Sequence, residues 1–246
     1  MDRIARKLLD TVQEMVSGRF EVRAASRETH PHLSWSDYDD ARRRLEQLGY
    51  RWLGDVEVLS YHEEPRAMHP PAFRMLVSAD GTVAAGFYRV PLRWTRLGII
   101  WRLMRMGAPM LNLSTGFPDG TVVETTTVPL SGKWTTPPFL LRAFYPKVSL
   151  EALVAFHAER VAEHRERHPG LTPLRISSLE EFVAAADGFE RRKREHRQSI
   201  GWITYEELGR FGVEDAKRRE LLAAIRRFAP DPQGTAPSGF HPRPDR

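Results

Sequence analysis

The tetrapeptide Asp-Gly-Thr-Val occurs twice, at 80–83 and at 119–122. It constrains the fold more than any other feature of the chain. Asp-Gly suits a tight reversal because glycine reaches positive φ without a steric cost. Both copies are flanked by alternating residues. Phe73, Met75 and Val77 lead into the first, and Val83, Ala85 and Phe87 lead away. Leu111, Leu113, Thr115 and Phe117 precede the second, and Thr121, Val123, Thr125 and Thr127 share one face after it. Side chains two apart lie on the same side of a strand, so each copy predicts a β-hairpin. Four shared residues, 39 positions apart, are weak evidence of internal duplication. Turn chemistry used twice accounts for them. The stretch 50–61, rich in aromatic and β-branched residues, predicts a further strand.

Helical spacing marks the rest. Ile4, Leu8, Val12 and Met15 form a stripe over 3–16. A second helix is expected from Ser36 to Leu48, with Tyr38, Ala41, Leu45 and Leu48 buried and Gly49 terminating it. Ser149 should cap a helix over 150–168. Ser178 with Glu181 and Thr204 with Glu207 make capping boxes before two more. A last helix spans about 214–228, with Leu221, Leu222, Ile225 and Phe228 on its apolar side. The tail 230–246 holds five prolines and few apolar residues, the composition of a segment that does not pack. The expected class is α+β: an antiparallel sheet built from hairpins and packed by helices, followed by a C-terminal helical region. The expected division is an α+β domain over 1–170, a helical region over 171–229 and a disordered tail.

Composition narrows the function classes. With 41% hydrophobic and 28% charged residues, the chain has enough apolar material for a core. The absence of cysteine excludes disulfides, thiolate metal sites and cysteine nucleophiles. The N-terminus has charges every few residues and does not read as a signal peptide, and no run approaches a membrane span. A cytoplasmic protein is the expectation. The net charge of +5 is mild. The run "ERRKREHR" at 190–197 invites a helix-turn-helix reading, but residues 171–229 carry twelve basic and ten acidic residues. That balance disfavours nucleic acid as a partner. No phosphate-cradling glycine loop, Gly-x-Ser-x-Gly turn or His-Glu-x-x-His sequence occurs.

Residues 92–111, "LRWTRLGIIWRLMRMGAPML", hold two tryptophans, three methionines and four arginines with no acidic residue. They lie between the hairpins. A helix over about 94–106 would place Leu97, Ile100, Trp101 and Met104 on one side and arginines opposite. Three readings stay open: a cover over the sheet, with arginine stems spread on apolar surface; a helix in a membrane interface; or the wall of an adaptable apolar pocket. The candidate ligand-binding residues are Trp94, Trp101, Arg102 and Met104. On the 150–168 helix, His157, His164 and His168 continue an apolar stripe. His164 and His168 stand one turn apart and are candidate metal ligands. The competing reading is that they sit at the negative C-terminal end of the helix. His62, Glu63, Glu64 and His69 form a polar stretch between strands, as do His30 and His32 around Pro31.

The run "LEQLGYRWLGDVEV … DGTVAAGFYRV … LSTGFPDGTVVETTTVP" resembles a loose group of uncharacterised bacterial α+β proteins. The likeness covers about residues 36–130 and rests on turn and strand positions. It implies a mixed α+β domain and carries no activity or site residue. No cofactor is expected. The leading expectation is a non-catalytic domain that binds a small apolar ligand or a protein. The alternatives are a peripheral protein meeting a membrane surface through 94–106, and a metal-dependent enzyme.

Overall fold

The computed structural model describes residues 1–16, 20–59, 69–92, 109–128 and 132–229. The expected helix at 94–106 and the tail beyond 229 lie outside these residues. Contacts divide the chain into two units. One comprises Met1–Gly18, Lys133–Thr135 and Glu190–Arg246; the other comprises Arg19–Gly132 and Thr136–Phe189.

The second unit holds one seven-stranded sheet: β1 (Val22–Ala24), β2 (Tyr50–Val58), β3 (Ala72–Ser78), β4 (Ala84–Arg89), β5 (Pro109–Gly116), β6 (Val122–Thr126) and β7 (Leu140–Phe144), in that spatial order. Both Asp-Gly corners form. Gly81 and Gly120 take φ of +80° and +81°, and Gly81 N donates to Ser78 O at 2.8 Å. In each corner the aspartate folds back on the chain: Asp80 accepts from Thr82 N, and Asp119 from Thr121 N. The hairpins pair with each other through Phe87 and Leu111, so they make one sheet. The protein is α+β, and its sheet is antiparallel except at one edge. There β7 runs parallel to β6, with Val123 opposite Leu141. Neither β1 nor β7 is foreseen by sequence pattern. Both are short, and no turn signal ties either to its partner.

The register sorts the residues by face. Ala72, Leu76, Ala85, Phe87, Leu111 and Leu113 lie under α2 (Trp35–Gln47) and α3 (Leu150–Arg167), which contribute Trp35, Tyr38, Leu45 and Leu153. Leu45, Leu76, Leu113 and Leu153 are fully buried, each contributing about 2 kcal/mol. The opposite face presents Val56, Val58, Phe73 and Met75 to Phe20, Leu179 and Phe182. The last two belong to α4 (Leu179–Ser199), whose first half lies in this unit. Helix α2 starts one residue earlier than expected, after Ser34, and Leu48 is exposed rather than buried. Gly49 ends the helix at φ +84°, as expected. Ser149 caps α3 by accepting from Ala152 N at 3.1 Å.

The other unit contains α1 (Asp2–Met15), the second half of α4, α5 (Tyr205–Arg210) and α6 (Asp215–Phe228). Helix α1 packs against α6. Its buried stripe is rotated by one residue, to Ala5, Leu9, Val12 and Val16. The apolar arc of α1 is wider than the face its neighbour covers, and small Ala5 permits closer approach than Ile4 would. Thr204 and Glu207 form the expected capping box on α5. Glu207 goes further: it accepts from Thr135 N at 2.6 Å and pairs with Arg197 at 2.5 Å, all within this unit.

Candidate functional site

The cleft of interest, about 250 Å³, opens on the helix-covered face of the sheet. Its floor is Phe87 and Leu111, which face each other across β4 and β5, together with Leu153 of α3. One wall is α2, which turns Asp37, Asp40, Ala41 and Arg44 inward; steps of three and four put them on one side of the helix. The opposite wall is the start of α3, from Val148 to Leu150. Thr127 closes one end, and its Oγ1 accepts from Leu111 N at 2.9 Å.

The charges at the rim are matched within the chain. Asp37 pairs with Arg89, and Asp40 with Arg43. Arg44 holds Glu151 through contacts of 2.8, 2.9 and 3.1 Å. The unbalanced part of the cleft is therefore apolar. Pro109, the first described residue after the tryptophan-rich segment, lines it. Trp94, Trp101, Arg102 and Met104 all lie outside the described residues.

The histidines of α3 separate into two settings. His157 is buried, and both ring nitrogens are occupied: Nε2 lies 2.9 Å from Thr115 Oγ1, and Nδ1 lies 2.9 Å from Thr125 Oγ1. Burial, aided by nearby Arg160, lowers its pKa to about 3. It is a neutral core residue tying α3 to β5 and β6. The His164 and His168 rings lie with centroids 4.6 Å apart and tilted by 42°, and the Phe117 ring lies 4.7 Å from His164. His164 Nε2 is buried without a hydrogen-bond partner, and burial lowers its pKa. Among the described residues, no three histidine, aspartate or glutamate side chains converge to hold a metal ion.

A second polar group joins His30, His32 and His69 to Arg23 and Glu57, which the sequence does not single out because they lie far from the histidines along the chain. His30 and Glu57 are buried, with Nε2 and Oε2 3.3 Å apart. Arg23 Nε donates to the same oxygen at 2.6 Å. His32 stacks on His69 at 4.4 Å, and its Nε2 lies 3.0 Å from Pro70 O. Burial lowers the His30 pKa. The group anchors the chain before α2 to the sheet edge. His62, Glu63 and Glu64 lie outside the described residues. The basic run at 190–197 belongs to α4, where Arg197 turns inward to Glu207 and lies 5.2 Å from the Trp134 ring centroid.

No family model, no curated protein and no solved structure matches the chain. Among the described residues, no helix is long and apolar enough to cross a membrane.

Proposed function

We propose that the chain is a non-catalytic binding domain whose site is the cleft between α2 and α3, and whose ligand is a small, largely apolar molecule. The observation that carries this reading is the contrast inside the cleft. The charges at its rim are matched by other residues of the chain, while Phe87, Leu111 and Leu153 offer apolar surface at its base. Apolar surface in a concave site is favourable to cover, and the few polar groups around it would orient what covers it.

The test uses the fluorescent apolar anion 1-anilinonaphthalene-8-sulfonate with the full chain. Leu150→Glu places a carboxylate at the cleft wall, at the first position of α3, where the helix N-terminus favours negative charge. The fold should persist by circular dichroism, and dye affinity should fall by about tenfold, or about 1.4 kcal/mol. Unchanged dye affinity in the folded variant would remove the cleft as the site.

A further inference from the structure

Helix α1 carries two apolar stripes, and among the described residues only one is covered. Ala5, Leu9, Val12 and Val16 are buried in their own unit. Met1, Ile4 and Met15 are 41%, 56% and 40% exposed, and Leu8 is half-buried between the two stripes. Positions 1, 4, 8, 11 and 15 are separated by three, four, three and four, the spacing of a coiled-coil seam. Thr11 is the one polar member, and its hydroxyl is satisfied by Lys7 O at 2.9 Å. Lys7 and Glu14 border this seam on the same side, exposed, and neither forms an ion pair among the described residues. Arg3 and Asp10 repeat the order one position further out: basic residues in the first half of the helix, acidic residues in the second.

That order is self-complementary in only one arrangement. When two copies of α1 pack antiparallel about a two-fold axis, Ile4 of one faces Met15 of the other, and Leu8 faces Thr11. Lys7 then meets Glu14 twice, once on each side of the axis. A parallel pair brings neither contact about. We propose that the exposed face of α1 is the contact surface of a homodimer, formed by antiparallel packing of this helix on a second copy of the same chain. A contact that uses the same patch on both partners closes at two members. One helix of four turns covers less than the roughly 1,200 Å² typical of stable complexes, so the dimer is weak and concentration-dependent.

Sedimentation equilibrium of the full chain, from low micromolar to sub-millimolar concentration, tests this. The weight-average mass should rise with concentration toward twice the monomer mass. Lys7→Glu and Glu14→Lys alone should each weaken association about tenfold, because like charges then face each other twice. The double variant K7E/E14K should restore it, an outcome that general damage to the helix would not give. Both positions are exposed, so the monomer fold should be untouched by circular dichroism. A mass that stays monomeric throughout overturns the proposal, as does a double variant no better than the singles. So does recruitment of wild-type protein to anionic vesicles without self-association.

Discussion

Arg74 on β3 and Asp55 on β2 stand opposite each other in register, and the guanidinium grips both carboxylate oxygens: Nε to Oδ1 at 2.7 Å, and Nη2 to Oδ2 at 2.8 Å. The third nitrogen, Nη1, reaches Asp39 of α2 at 2.9 Å. The arginine side chain is only 5% exposed, and Trp35 and Tyr38 lie beside it at 5.8 and 5.7 Å. One side chain thus joins two strands and the helix that forms a wall of the cleft.

Arg74→Met should therefore be among the costlier single changes in the sheet unit. Methionine fills much of the space but leaves Asp55, itself 10% exposed, without its partner. Removing one member of a buried pair costs about 3–5 kcal/mol. Arg74→Lys should cost less, since it keeps the charge and loses the two-pronged geometry. Urea unfolding of the two variants gives the comparison, and an Arg74→Met midpoint equal to wild type would contradict it.

Acid should destabilise the protein before its carboxylates titrate. His157 has a pKa of about 3 when folded, against an ordinary value of 6.5. The unfolded chain thus binds a proton in this window that the folded chain does not. The neutral histidine stabilises fully above pH 6.5, and that contribution is lost as pH falls from 6.5 toward 3, with a slope of up to about 1.4 kcal/mol per pH unit. Burial lowers the pKa of His30, His164 and His196 too, which adds to the same trend. His157→Leu should be less stable at pH 7, because Thr115 loses its partner and Thr125 keeps only Arg160, yet its stability should vary less with pH between 6.5 and 4. Equal slopes for wild type and variant would exclude the assignment, as would titration of the His157 ring near pH 6 by NMR.

Two glycines at positive φ should respond differently to alanine. A Cβ on Gly49 meets nothing within 4 Å, so Gly49→Ala should cost only the backbone strain, about 1–2 kcal/mol. A Cβ on Gly81 would lie 2.9 Å from Ile176 O, and Ile176 N donates to Gly81 O at 2.8 Å. Gly81→Ala should therefore cost the strain plus displacement of the chain at Ile176, and melt at the lower temperature. Scanning calorimetry of the two variants orders them, and equal melting temperatures would show that the contact at Ile176 yields freely.

Features that rest on contacts between near neighbours are legible in the sequence. Asp80-Gly81 and Asp119-Gly120 turn because a carboxylate two residues back and a glycine free to take positive φ suffice. Ser149 and the Thr204–Glu207 pair cap their helices by contacts three residues long. Asp-Gly corners and period-two flanks also fixed the hairpins, and with them the α+β class. Tertiary structure decided which side of each element is inside. α1 has apolar residues over a broad arc, so its partner α6, and not the helix itself, selected Ala5 and Leu9 over Ile4 and Leu8. β7 exists because β6 offers it an edge, and residues 140–144 carry no signal of that. The cleft joins residues 37–44, 87, 109–111 and 148–153, and His30 meets Glu57 across the sheet edge. Only long-range packing brings such positions together, because apolar burial rewards total buried area rather than closeness along the chain.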